Sequence, residues 1–393
     1  MNVDDFDFDL PDAAIAQHPP KERGGSRLLV VDRDGGVEHT TFANLGQYLV
    51  PGDLLVVNDT RVFPARLLGH RVPSGGGIEC LLLRQLPTSN TQLPGNLESA
   101  AHPNPGSRLP ADLSNEARSA KLEARRAKAG IPDPGLWDAL VHPGQKLKPG
   151  ARMVFERDGV SIHGEVVAMH FQGRRTIRLS TDHPGGLADA IDRVGHIPLP
   201  PYIKRDDAAS DTDRYQTVYA RERGSVAAPT AGLHFTSEQL AALGARGIER
   251  IEVTLHVGYG TFKPVNVDRV EDHVVDPERF TVTPGAAAAL TRARREKRRI
   301  VAVGTTTVRT LESLTVNADG EVAAASGETP LFIRPGHCFQ LVDGMITNFH
   351  LPRSSLLMLV SALAGRERIL AAYREAVDTG YRFYSYGDAM LII

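Results

Sequence analysis

Two histidines, His234 and His256, lie in segments dense in glycine and hydroxyl side chains: Gly224-Ser-Val-Ala-Ala-Pro-Thr-Ala-Gly-Leu-His-Phe-Thr236 and Val253-Thr-Leu-His-Val-Gly-Tyr-Gly-Thr-Phe262. Glycine lets backbone approach a ligand closely, and Thr, Tyr and His supply short-range donors and acceptors. Imidazole is suited to moving protons near neutral pH. A lone histidine is more often a hydrogen-bonded structural residue, but two in such turns around one helix bring site and structure to even odds. Asn58, Asp59 and Arg61 directly follow the apolar run Leu54-Leu-Val-Val57. Polar groups just past a buried strand are site candidates, and a turn capped by the Asn and Asp side chains is the equal alternative. After Ile300-Val-Ala-Val-Gly304 come Thr305-Thr-Thr-Val-Arg309. Hydroxyls at a helix N-terminus after a strand and a glycine make a site for an anion or a carboxylate. The pattern is neither a P-loop nor G-x-G-x-x-G, so a simple cap competes.

The elements that must hold these residues are readable locally. Thr236 and Gln239 form a T-x-x-Q capping box, so a helix is expected from about Ser237. Ile251, Val253, Leu255 and Val257 alternate, which predicts a strand with Glu252, Thr254 and His256 on its other face. Leu28-Leu-Val-Val31 and Leu54-Leu-Val-Val57 read as strands, as do Ile300–Gly304, Leu331–Gly336, Cys338–Leu341 and Met345–Phe349. Helices are expected over 284–298, from Thr305, from the cap Ser354 to Leu363, and over 367–377.

With 393 residues, 41% hydrophobic and 23% charged, the chain has material for two or three domains and a sizeable core. The longest apolar run, Leu356–Leu363, is too short to span a membrane. The acidic N-terminus lacks a signal-peptide pattern, and two cysteines give no disulfide framework, so a cytoplasmic location is expected. No H-E-x-x-H and no paired cysteines point to zinc. A net charge of −2 means that any nucleic-acid partner needs a local basic patch.

From Arg61 to about 182 the texture changes to short strands separated by turns, which predicts a small β-barrel or sandwich inserted over 62–182 within an α/β domain formed by 1–61 and 183–393. Within it, 87–135 is rich in Pro, Ser, Asn and Ala and reads as a solvated surface insertion with one short basic helix. The densest basic run is Arg292, Arg294, Arg295, Lys297, Arg298 and Arg299. A solvated face is the usual meaning of such a run, and RNA phosphate contact is the sharper one.

Several strings together resemble one family. Gly52-Asp-Leu-Leu-Val-Val-Asn-Asp-Thr-Arg-Val-Phe-Pro-Ala-Arg66, Gly224–Phe235, Leu255-His-Val-Gly-Tyr-Gly-Thr-Phe-Lys-Pro264, Thr347-Asn-Phe-His-Leu-Pro352 and Tyr381-Arg-Phe-Tyr-Ser-Tyr-Gly-Asp-Ala-Met390 closely resemble the S-adenosylmethionine:tRNA ribosyltransferase-isomerases of queuosine biosynthesis, in order and over nearly the full length. The resemblance implies a large α/β domain with a small inserted β-barrel. It also implies transfer of the ribosyl part of S-adenosylmethionine to 7-aminomethyl-7-deazaguanine in a tRNA anticodon, isomerisation of the sugar to an epoxycyclopentane, and loss of adenine and methionine. S-adenosylmethionine is then a substrate, no prosthetic group is expected, the tRNA anticodon stem-loop is the partner, and a monomer is expected. The chain departs from the pattern at Asp276, where the family tends to carry a histidine, at Thr307 for Ser and at Ser355 for Thr, and its 87–135 insertion is longer than usual.

Such chemistry needs a base for a carbon beside a sulfonium, an acid for departing adenine and a site for the methionine carboxylate. On this resemblance His234 and His256 are assigned to proton transfer, with Asp59 and Asp388 as further candidates. Arg309 and the helix start at Thr305 and Thr306 are assigned to the carboxylate, and Asn58, Arg61, Thr230, Tyr259, Thr261, Asn348, His350 and Tyr386 to substrate binding. For RNA the candidates are Arg174 and Arg175 on the barrel and Arg294 and Arg295 on the basic helix. Two other classes remain: an RNA-binding module without catalysis, and a methyltransferase, whose usual Gly-rich loop after the first strand is not seen.

Overall fold

The run Leu54-Leu-Val-Val-Asn58 is buried at every position, as a strand must be when helices cover both faces of its sheet. Leu54 and Val56 pack to one side with Leu29, Val253, Ile300 and Met345. Leu55 and Val57 pack to the other with Leu28, Val301, Ile346 and Leu391. The computed structural model that shows this describes residues 1–86 and 135–393, so most of the expected 87–135 insertion, 87–134, lies outside the described residues.

The chain divides into two compact units, 1–63 with 197–393, and 64–196. The first contains β1 (Arg27–Val31), β2 (Val37–Thr41), β3 (Leu54–Asn58) and β4 (Thr60–Val62). The second contains β5 (Arg66–Val72), β6 (Gly77–Leu86), β7 (Gly135–His142), β8 (Arg152–Arg157), β9 (Val160–Met169) and β10 (Arg174–Ser180). The first resumes with β11 (Glu222–Ser225), β12 (Glu249–Leu255), β13 (Glu278–Val282), β14 (Ile300–Val303), β15 (Ala325–Thr329), β16 (Gly344–Asn348) and β17 (Ala389–Ile392).

In the larger unit nine strands form one mixed sheet in the order β15-β13-β12-β3-β14-β16-β17-β1-β2. The neighbours β12, β3, β14 and β16 run parallel, so their carboxyl ends share one edge. Helices Pro284–Arg295, Thr305–Glu312, Ser355–Ala364 and Arg366–Asp378 supply the core on one face, and Ser237–Ala245 contributes Leu243 to the other. The Thr236–Gln239 capping box forms, with Gln239 N donating to Thr236 Oγ1 at 3.1 Å and Thr236 N to Gln239 Oε1 at 3.1 Å. The basic helix ends at Arg295 and not at 298, because Lys297 turns to φ 54°. The strands expected at 331–336 and 338–341 are irregular, and the ladder is completed instead by β15, whose exposed residues lack a clear apolar alternation.

The smaller unit is a closed antiparallel barrel, β10-β7-β6-β5-β8-β9. Its interior takes alternate residues, among them Leu67, Cys80, Leu82, Val141, Phe155, Ile162, Ile177 and Leu179. The mixed architecture, an α/β domain with a small antiparallel barrel, is the one expected. The smaller unit also takes in residues 183–196, which the sequence assigns to the larger one. The helix Gly186–Val194 packs its Ala190, Ile191 and Val194 inward, against β8 and β9. The two ends of the unit are tied by paired backbone hydrogen bonds between Arg66 and His196, at 3.2 and 2.8 Å.

Candidate functional site

Beyond the carboxyl ends of β12, β3, β14 and β16 lies a cleft, the edge where open α/β sheets bind ligands. Asn58, at the end of β3, is fully buried and spends its whole amide inside the protein. Its Oδ1 accepts from Leu255 N at 3.0 Å and Thr60 N at 3.2 Å, and its Nδ2 donates to Leu255 O at 3.0 Å and Thr306 Oγ1 at 3.2 Å. Asn58 therefore clamps two strand ends to the start of a helix.

That helix, Thr305–Glu312, opens after Gly304, whose φ of 88° is one that residues with a Cβ rarely adopt. Thr305 and Thr306 line the cleft, so the positive end of the helix faces it. Thr307 turns away and donates to Val303 O at 2.6 Å. Arg309 does not reach the cleft as a free cation. Its guanidinium is buried, hydrogen-bonded to the Glu278 carboxylate and to the carbonyls of Leu331 at 2.9 Å and Thr329 at 3.2 Å. A guanidinium so committed has little left for a substrate carboxylate. Glu278 in turn accepts from Gly258 N at 2.7 Å and Thr261 Oγ1 at 3.3 Å, which fixes the turn Tyr259–Phe262 against the cleft. Thr261 lines the cleft and Tyr259 is half-buried beside it in sequence.

The end of β16 supplies the opposite wall. Asn348 accepts from Thr230 Oγ1 at 2.8 Å, donates to Tyr384 O at 3.2 Å, and places Nδ2 at 2.9 Å from His234 Nε2. Thr230, Asn348 and His350 all line the cleft. His234 is buried, with its other ring nitrogen 2.8 Å from Ser26 Oγ, and burial pushes its pKa down to about 3. It is thus a neutral imidazole with both nitrogens engaged. His350 is also held neutral by burial, its pKa lowered to about 3, with Nε2 at 2.9 Å from Thr347 Oγ1.

Other candidates are placed elsewhere. His256 sits on the other side of the β12 end, 2.9 Å from Thr60 Oγ1, its pKa lowered by burial and then by Arg279. Gly224 lies flat against that ring, where a Cβ would stand 2.7 Å from Cε1. Asp59 is buried, accepting from Thr254 Oγ1 at 2.6 Å and paired with Arg221 at 2.7 Å, while burial raises its pKa. Asp388 accepts from the backbone N–H of Arg27 at 3.0 Å and Arg382 at 2.8 Å, which makes it a turn staple. Tyr386 donates to Asp211 at 2.7 Å, and Asp211 also holds Arg205 through both oxygens. Arg61 is exposed.

The RNA candidates have partners within the protein. Arg175 points inward, its guanidinium capping the carbonyls of Leu147, Arg174 and Gly144 at 2.8 to 3.0 Å. Arg174 pairs with Asp138. Arg295 pairs with Glu321 at 2.7 Å and Arg294 donates to Gly320 O at 3.1 Å. Arg292 and Arg298 share Glu249, and Arg299 holds Asp53. Four of the six cations of the run are therefore paired with carboxylates distant in sequence.

Among the cleft residues that the sequence did not single out are two tyrosines. Tyr202, in the stretch Ile197-Pro-Leu-Pro-Pro-Tyr202, lines the cleft with Tyr384. Their ring centroids are 3.8 Å apart at 42°, and the Tyr202 hydroxyl meets that of Ser385. Tyr384 holds φ 73°, a costly conformation for an aromatic residue. The only sequence signal for it was its place in the Tyr381–Met390 string. Among the described residues no group of three or more His, Cys, Asp or Glu is arranged to hold a metal ion.

A family model described as queuosine biosynthesis protein matches residues 3–392. Proteins named S-adenosylmethionine:tRNA ribosyltransferase-isomerase from Moorella thermoacetica and Heliobacterium modesticaldum are 46% and 47% identical to this chain, each over 100% of both chains. The one from Anaeromyxobacter dehalogenans is 48% identical over 100% of this chain and 99% of its own. A crystal structure of S-adenosylmethionine tRNA ribosyltransferase from Thermotoga maritima is 32% identical, covering 99% of this chain and 100% of that one, with a TM-score of 0.49. The chain belongs to the queuosine biosynthesis protein family.

Proposed function

We propose that this chain is a transferase and isomerase that moves the ribosyl part of S-adenosylmethionine onto 7-aminomethyl-7-deazaguanine in a tRNA anticodon, forming epoxyqueuosine-tRNA and releasing adenine and methionine. The observation that carries this is near-50% identity, end to end, to relatives bearing that activity in their names. S-adenosylmethionine enters as a substrate. The protein works in the cytoplasm, as a monomer.

The cleft suits the donor. Its lining is apolar with a few hydroxyls, an amide and an imidazole, the mix usual in small-molecule sites. The Thr305–Thr306 helix start offers N–H groups and hydroxyls to the methionine carboxylate in place of Arg309, whose charge is taken by Glu278. Among the assigned histidines His350 lines the cleft, where burial keeps it a neutral imidazole able to hydrogen-bond the substrate. His234 orients Asn348, and His256, Asp59, Asp388 and Tyr386 hold the frame.

The test is adenine release from S-adenosylmethionine, with and without a tRNA anticodon stem-loop carrying 7-aminomethyl-7-deazaguanine. Release that requires the modified RNA is expected. Formation of S-adenosylhomocysteine, or no consumption of the donor, would overturn the assignment.

A further inference from the structure

The cleft does not end at its own walls. A second, more open space lies beside it, and Thr261, Leu356 and Tyr384 line both. The proposed reaction joins a free small molecule to a base that is part of a polymer. Two substrates that must meet at one place suit two adjoining spaces with a common wall. We propose that the neighbouring groove receives the acceptor nucleotide, and that Tyr384 is the wall the two substrates share.

The lining of the groove fits that occupant. Asn2, Asn266 and Ser355 offer amide and hydroxyl groups of the kind that read the edge of a base. Its charges are mixed. Arg353 is more than half exposed, with carboxylates only at 3.5 Å (Asp4) and 3.8 Å (Asp7), so its guanidinium is loosely held and open to a phosphate. Its backbone is fixed, with φ 55° and its N–H donating to Phe6 O at 2.9 Å. Asp4 and Asp5 line the same groove. A nucleotide carrying an ammonium group on its base and a phosphate on its backbone complements both signs, whereas a plain anion or cation complements one.

Tyr384 is built to hold a fixed place between the two spaces. Its N–H donates to Phe349 O at 3.1 Å, and its carbonyl accepts from Gly387 N at 2.9 Å and Asn348 Nδ2 at 3.2 Å. Asn348 is itself a wall of the cleft. The ring therefore stands where a sugar would leave one substrate and meet the other.

This inference rests on the proposed reaction, and the test separates the two. Ser355→Trp and Asn266→Trp each place bulk into the groove away from the cleft. Adenine release is measured against the modified anticodon stem-loop, and donor affinity by equilibrium dialysis of S-adenosylmethionine with the full chain and no RNA. At least a tenfold rise in KM for the RNA is expected in both variants, with donor affinity unchanged within twofold. An unchanged RNA KM in both, or donor affinity weakened as much as RNA KM, would overturn the inference alone. Absence of RNA-dependent adenine release by the unmutated chain would overturn the proposed reaction and this inference with it.

Discussion

Asn348 stands between His234 and the cleft, its amide nitrogen 2.9 Å from His234 Nε2 while its oxygen accepts from the Thr230 hydroxyl. With Nε2 accepting from the amide, the imidazole proton belongs on Nδ1, where it is donated to Ser26 Oγ at 2.8 Å. His234 thus acts on whatever binds there by fixing which way Asn348 presents its amide.

Turnover should separate the two histidines. His234→Ala frees Asn348 to rotate and is expected to lower kcat/KM about 100-fold by misplacement. His350→Ala removes a group that lines the cleft and is expected to raise the donor KM about tenfold, the scale of one lost hydrogen bond. Adenine release kinetics check both, and an unchanged donor KM in His350→Ala would remove it from substrate binding.

Both histidines should also shape stability toward acid. Each is neutral when folded, with a pKa of about 3, whereas the unfolded chain takes up the proton near 6.5. The unfolded state therefore binds more protons between those values, and stability is retained above pH 6.5 and falls as the pH drops toward 3. The loss is of order a few kcal/mol for each residue. Urea midpoints at pH 7 and pH 4.5 should differ less in His350→Gln than in the parent.

Breaking the pair between Glu278 and Arg309 should be costly. Both are buried, and each removal leaves a charge without its partner. Glu278→Gln or Arg309→Met is expected to destabilise by about 3 to 5 kcal/mol. Because Glu278 also holds Gly258 N and Thr261 Oγ1, Glu278→Gln should raise the donor KM as well. Denaturation and kinetics on the same variant check the two effects together.

Charge reversal at Arg294 and Arg295 is expected to leave the salt dependence of tRNA binding unchanged, since their contacts are to Gly320 and Glu321. A flattening by about 0.7 to 0.9 per lost phosphate contact would restore them as RNA contacts. Arg175→Glu is different: it sets a carboxylate against carbonyl oxygens inside the barrel, and loss of barrel stability is expected in thermal melts.

How much of this could be read in advance depended on the range of the signal. The buried strand at 54–57, the Thr236–Gln239 cap and the Ser354 cap rest on neighbours a few residues apart, and all formed. Arg175 also had a local signal, because it alternates with the inward Ile177 and Leu179. Arg309 and the basic helix carry no local sign of their partners. Their partners Glu278, Glu249, Glu321 and Asp53 are brought by the sheet from elsewhere in the chain, and no periodicity announces them. Tyr202 entered the cleft for the same reason, through contact with Tyr384 near the other end of the sequence.

The hydrogen-bonded meeting of Arg66 and His196 bears on how the chain assembles itself. β3 must pair with β12, and β4 with β11, across the whole intervening barrel. Closing a flexible loop of well over a hundred residues costs on the order of 4 kcal/mol in chain entropy. Once the barrel has folded, its ends are a strand's width apart, and the host experiences it as a tight turn. A barrel that folds first would thus convert distant pairings in the sheet into nearer ones, so substitutions that loosen the barrel should slow acquisition of the sheet even where they touch none of its strands.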